Sequence, residues 1–115
     1  MVVKSQYVPE KGDVIWLNFS PQSGKEQAGR CSVVVVSSRV YNIHGLLLAC
    51  PITSQAKGYP FEVPLDLRSG NVDGVVLADH IKSQDWKARR AEFAGKIHIS
   101  CLEQIQSLIA ALLLQ

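Results

Sequence analysis

Metal-binding and redox motifs are missing from this 115-residue sequence. Its three cysteines, Cys31, Cys50 and Cys101, lie far apart, and neither Cys-x-x-Cys nor His-x-x-x-His occurs. The usual spacings of a structural metal site are therefore excluded, and reduced thiols in a cytoplasm are expected. Long hydrophobic runs are missing too. "VVVV" (33–36) and "LIAALLL" (108–114) fall far short of the roughly 20 residues of a membrane span. The start, "MVVKSQYVPEKGD", is polar, broken by Pro9 and without the apolar core of a signal peptide, so no membrane partner is expected. Charge of one sign is also scarce: 12 Lys and Arg against 10 Asp and Glu leave +2. Any polyanion must then be held by local clusters of charge. No phosphate-cradling glycine loop or nucleophile elbow is found, and nothing in the spacing of His44, His80 and His98 sets up a serine–histidine–acid triad.

What is present is a folded composition, 47% hydrophobic and 19% charged, in a length that suits one domain over 1–115 with one modest core. "DVIWLNF" (13–19) alternates, with Ile15, Leu17 and Phe19 on one side and Val14, Trp16 and Asn18 on the other. The period of two predicts a strand with one buried face and an aromatic on the second. "SPQSGKEQAG" is a loop by its Pro21, Gly24 and Gly29, whereas "SVVVVSS" (32–38) reads as a strand covered on both faces. "GLLLACPIT" (45–53) is the next strand, reached through a turn in "RVYNIH", and Pro51 is expected to disturb its pairing. "FEVPL", "GVVLADHI" and "GKIHI" give shorter strands, with "DLRSGNVDG" a turn-rich connection.

The terminal segment predicts a helix. Ser100 and Glu103 have the spacing of a capping box, and Leu102, Ile105, Leu108, Ile109 and Leu112 fall on one face. Beyond Ile109 the helix is apolar nearly all round, which either buries its last turn or leaves it for a second subunit. Five to seven short strands and one C-terminal helix make a mostly-β, α+β protein built on a small antiparallel barrel, a closure that hides strand edges.

Polar residues gather in three places: Glu26, Gln27 and Arg30 before the valine strand; Thr53, Ser54, Gln55 and Lys57 beside Tyr59 and Phe61; and Lys82, Lys87, Arg89 and Arg90 around Trp86. Cations among aromatics suit single-stranded nucleic acid, whose bases stack on rings while Lys and Arg follow the phosphates. A solvated charged turn is the more common explanation of any one cluster.

"YVPEKGDVIWLNFSPQSGKEQAG", "ACPITSQAKGYPFEV" and "GVVLADHIKSQDWKAR" resemble, in order and spacing, the MazF/PemK family of bacterial toxins. The resemblance implies an SH3-like barrel that dimerises with its own copy and cuts single-stranded RNA at short sequences, independently of the ribosome, of metal and of any cofactor. It also implies a MazE-like antitoxin partner with a disordered acidic tail, and contact with DNA only through that complex. The implied chemistry is attack of a ribose 2′-hydroxyl on the adjacent phosphate, which needs a proton acceptor, a cation and an acid. The implied catalytic set is Glu26, Arg30, Cys31 and Thr53; the implied RNA contacts are Gln27, Ser54, Gln55, Lys57, Lys82, Trp86 and Arg89.

One departure stands out. The family's loop runs E-Q-x-G-x-R-P, so Cys31 holds the place of its catalytic arginine and Ser32 that of its proline, with Arg30 one residue early. Adjacent strand residues point to opposite faces, so Arg30 does not automatically replace the missing side chain. Two alternatives are open: Arg30 reaches the phosphate from an irregular loop–strand junction, or the chain is a weakened or inactive dimer that serves as an antitoxin-binding module. A gyrase poison on a related barrel would carry a terminal Trp-Gly-Ile, and this sequence ends "ALLLQ".

Overall fold

The computed structural model describes residues 7–19 and 29–114. Its strands are β1 (Asp13–Phe19), β2 (Gly29–Val35), β3 (Leu46–Thr53), β4 (Glu62–Pro64), β5 (Leu67–Gly70), β6 (Val75–Leu77), β7 (Lys82–Asp85) and β8 (Glu92–Ile97). Two helices join them, α1 (Arg39–Asn42) and α2 (Ile99–Leu113). The strands form one antiparallel sheet in the order β4-β6-β3-β2-β1-β8-β5, with β7 also paired to β3. The sheet curls into a half-barrel with the C-terminal helix against it, the mostly-β architecture expected from the sequence.

Strand alternation sorts the core into two clusters. Val14, Val34 and Cys50 point to the face covered by α2, where they meet Val63, Val76, Ile97, Leu102 and Ile105. Their chain neighbours Ile15, Leu17, Val33, Val35, Leu47 and Ala49 point the other way, onto Trp86. This is why the valine run works: each successive valine fills the opposite core. It also corrects the expectation that β1 has one buried face, because Val14 and Ile15 are both fully buried and the second face opens only at Trp16 and Asn18.

Other departures have local causes. The turn expected in "RVYNIH" contains the single helical turn α1. "KSQD" forms β7 despite lacking apolar alternation, because it needs only the backbone of Leu46–Ala49 in β3 as a template. A short strand, β5, sits inside "DLRSGNVDG" through pairing with β8. Pro51 does not break β3. It pairs with Val33 of β2, while the other edge of β3 passes from β7 at Ala49 to β6 at Ile52, so the residue without an N–H stands in the gap between two neighbours. Helix α2 begins before the predicted capping box. His98 is the N-cap, without a side-chain cap bond, and Ser100 is already helical and cannot cap.

Two buried polar groups pin the scaffold. Asp13 accepts hydrogen bonds from the Tyr7 hydroxyl (2.6 Å) and the Glu10 amide (3.0 Å). The Lys96 ammonium stands 2.8 Å from its other oxygen, at ion-pair distance but off hydrogen-bonding angle. Asn42 is fully buried; its Nδ2 donates to the carbonyls of Pro9 (2.8 Å) and Ser37 (3.1 Å), and its Oδ1 accepts from the Ser37 hydroxyl (2.5 Å). Its own carbonyl accepts from Trp86 Nε1 (2.7 Å). Replacing Asn42 with Ala removes the side-chain bonds and strands their Pro9 and Ser37 partners, at a cost of about 2–3 kcal/mol, while the Trp86 bond to the main chain stays. Urea unfolding of Asn42→Ala checks this: a lowered midpoint is expected, and an unchanged midpoint removes Asn42 as a tie point.

Candidate functional site

The β1–β2 register decides where the signature residues point. Arg30 stands opposite Asn18 and Cys31 opposite Leu17, so the two project to opposite faces of the ribbon. Pairing is regular from Gly29 onward, which corrects the idea of a loose junction at Arg30. The Arg30 guanidinium is held on its own side: Nη1 donates to Asn18 Oδ1, and Nη2 donates to Glu92 Oε1 at 2.8 Å. Glu92 comes within reach because β8 flanks β1 and pairs Glu92 with Trp16. Glu26 and Gln27, which the sequence singles out beside Arg30, lie outside the described residues.

Thr53 ends β3, where its hydroxyl accepts the Gln55 amide (3.1 Å) and turns the chain. The turn is fitted closely to the start of β6. At Gly74, with φ +136°, an added Cβ would collide with the Thr53 carbonyl oxygen. An open groove of about 510 Å³ brings Arg30, Cys31, Thr53 and Ser54 together, with Trp16 and Asp73 also in its walls. A smaller groove of about 240 Å³ also reaches Thr53 and carries Gln55, Lys57, Tyr59, Glu62 and His80. In it the Glu62 carboxylate accepts the amides of Lys57 (3.0 and 3.1 Å) and Gly58 (2.9 Å), fixing the loop that presents Lys57. Thr53 lines both grooves. Six of the residues selected from sequence therefore converge on one strand end.

The late basic segment does not join them as a unit. Trp86 is only 6% exposed and packs in the second core, so it cannot offer a ring to a base; this corrects its assignment as an RNA contact. An aromatic among cations is here a core residue with Lys87 lying 5.5 Å from its ring centre. Lys82 is exposed on β7, opposite Ala49. Arg89 stacks on Phe19, 4.4 Å from the ring centre, and donates to the Asn18 carbonyl (3.2 Å), tying the end of β1.

Sequence reasoning missed Asn18, Glu92, Glu62 and Asp73 as neighbours of the site. Only Glu62 had a local signal, its place in the "KGYPFEV" string. Glu92 and Arg30 are 62 residues apart, and only the strand order makes them adjacent. The histidines are dispersed: His80 is 3.7 Å from Asp79, His98 is 3.9 Å from Asp66, and His44 is exposed beyond α1. Among the described residues no group of three or more His, Cys, Asp or Glu is arranged to hold a metal, and no helix is long and apolar enough to cross a membrane.

With this geometry in view, residues 10–113 match the model of the PemK-like, MazF-like toxins of type II toxin–antitoxin systems. The chain is 46% identical over 110 residues to the endoribonuclease toxin MazF of Escherichia coli K12, covering 95% of this chain and 97% of that protein. It is 40% identical over 100 residues to the endoribonuclease toxin ChpB of the same strain, covering 83% and 84%. In three dimensions it resembles a chain of a crystallised MazE–MazF complex from Deinococcus radiodurans. The TM-score is 0.86 at 50% identity, over 94% of this chain and 97% of that one.

The three thiols differ in environment. Burial, then the nearby Asp79 charge, pushes Cys50 up to about 12, and burial raises Cys101. Cys31 is exposed in the large groove. A disulfide reagent at pH 8 is expected to modify Cys31 in the native protein and the other two only after unfolding. Rapid modification of two or three thiols without denaturant would contradict the burial described.

Proposed function

The chain belongs to the PemK-like, MazF-like toxin family, and from that premise we propose that it is an endoribonuclease whose reaction takes place where the two grooves meet at Thr53. The observation that carries the proposal is that single residue's position, with Arg30 and a hydroxyl pair among the residues lining one groove and a loop lysine and an exposed tyrosine lining the other. A single-stranded RNA laid across Thr53 would set its scissile phosphate beside Arg30 and a flanking nucleotide near Lys57 and Tyr59.

The 2′-hydroxyl oxygen attacks phosphorus, forming a 2′-O–P bond as the P–O5′ bond breaks, to leave a 2′,3′-cyclic phosphate and a 5′-hydroxyl. The 2′-hydroxyl proton passes to a base, for which the family likeness nominates Glu26, and the O5′ leaving group takes up a proton. Thr53 donates a hydrogen bond to a non-bridging phosphate oxygen. Arg30 offsets the charge that builds on the phosphorane. Cys31 lines the same groove but brings no positive charge, so its part is to shape the wall. Gln27, Ser54, Gln55 and Lys82 are further candidates for RNA contact, and Arg89 supports the rim through Phe19. No metal or other cofactor enters this scheme. DNA lacks the attacking hydroxyl and is not cut.

The curated relatives bear the names of endoribonucleases, which leaves the reading of an inert antitoxin-binding module without support. The MazE–MazF crystal complexes favour a MazE-like antitoxin as regulator of this chain too, one whose acidic segment would compete with RNA for Arg30 and Lys57. Contact with DNA would then come only through the antitoxin complex, and the cytoplasm is the place of action. The active form is a homodimer. Val40, Tyr41, Ile43, Leu46 and Leu48 are exposed large apolar residues, and Leu48 continues into an apolar groove of about 390 Å³ with Ile81, Ile109 and Leu113. A second copy would cover that surface.

Incubation with single-stranded RNA in excess EDTA should release fragments ending in a cyclic phosphate and a 5′-hydroxyl. Thr53→Val, which keeps the shape and removes the donor, should slow cleavage about 10²–10³-fold. Intact RNA with the wild-type chain sinks the proposal, and cleavage by Cys31→Arg alone would show that Arg30 does not supply the cation. For the dimer, Leu112→Glu should lower the mass in light scattering toward that of one chain; an unchanged mass would count against α2 as part of the interface.

A further inference from the structure

Arg30 has two competing destinations. It is the arginine that lines the Thr53 groove, yet both of its terminal nitrogens are engaged elsewhere, Nη1 by Asn18 and Nη2 by Glu92. A phosphate accepts a guanidinium best through two parallel N–H bonds from the same fork. Two of the guanidinium's five N–H groups are taken by these partners, so an approaching phosphate competes with them for hydrogen bonds and, with Glu92, for charge. Of the two, Glu92 is the one that opposes charge with charge, at 2.8 Å, and its side chain is 69% exposed. The pair is therefore screened and readily opened. The neutral Asn18 amide, by contrast, holds the guanidinium at its strand position without cancelling its charge.

We propose that Glu92 competes with an RNA phosphate for the Arg30 guanidinium and thereby sets the affinity of the groove. Glu92 is thus a positioning residue that acts through Arg30. It touches no reacting atom; it determines how often Arg30 is available to one. The inference rests on the ribonuclease reading above and adds to it a specific internal antagonist. The strand order supplies the mechanism: β1 lies between β2 and β8, Asn18 and Trp16 share one face of β1, and their partners Arg30 and Glu92 meet across it.

The test is a double-mutant cycle on the full chain, with Glu92→Gln, Arg30→Gln and the two combined. Binding is read by fluorescence anisotropy with a 2′-O-methylated copy of an RNA that the wild-type chain cleaves, and KM and kcat are read with the unmodified RNA. Glu92→Gln should tighten binding and lower KM about 2–5-fold, the scale of one exposed ion pair, with kcat changed by less than about twofold. In the Arg30→Gln background the same substitution should have no effect. Glu92→Asp, which keeps the charge, should stay close to wild type. Equal tightening in both backgrounds would reveal a bulk-charge effect and overturn the proposal, as would no tightening in either. Failure of the wild-type chain to cut any RNA overturns the ribonuclease reading instead, a result distinct from loss of the Glu92 effect in a chain that cleaves.

Discussion

The pairing of β1 with β2 is the constraint from which the site follows. Once Leu17 is committed to the interior, Cys31 opposite it and Arg30 beside it have no choice of face. A slip of one residue would exchange them, but it would also turn Val33 and Val35 out of one core and Val34 out of the other. Burial of the valine run thus holds the register, and the register places the one arginine of this strand. The chemistry at the rim is set by hydrophobic packing two residues away.

The same coupling extends across the sheet. β3 contributes Cys50 to one core and Ala49 to the other before releasing Thr53 at its end, and Pro51 marks where its outer neighbour changes from β7 to β6. That change opens space beside Thr53, and Gly74 lets β6 come close enough to shape it. The functional groups therefore sit on strand ends, while the loop between Thr53 and Glu62 is fixed by a carboxylate that accepts two of its amides. Rigid strands supply position and short loops supply the polar groups.

Period-two alternation and the terminal helical spacing revealed the mostly-β class, the valine strand and α2, because each of these elements buries a continuous face. β7 was invisible, since a short polar strand takes its conformation from the backbone of its partner and leaves no hydrophobic trace. The site was legible where its residues are contiguous, from Thr53 to Lys57, and through the likeness of whole strings to a known family. It was not legible where it depends on strand order: no local feature of the sequence announces that Glu92 meets Arg30. Trp86 misled for a related reason. An aromatic flanked by cations looks the same in sequence whether its ring faces solvent or, as here, the core and the Asn42 carbonyl.

The central claim is that the groove beside Thr53 stabilises a phosphorane with the guanidinium of Arg30, the arginine among its lining residues. Single-turnover cleavage of one RNA by the wild-type chain and by Arg30→Gln tests this directly. The account predicts a rate about 10²–10³-fold lower for the variant, the usual cost of losing one preorganised donor to the transition state. Equal single-turnover rates would contradict it and show that the charge on phosphorus is met by another group.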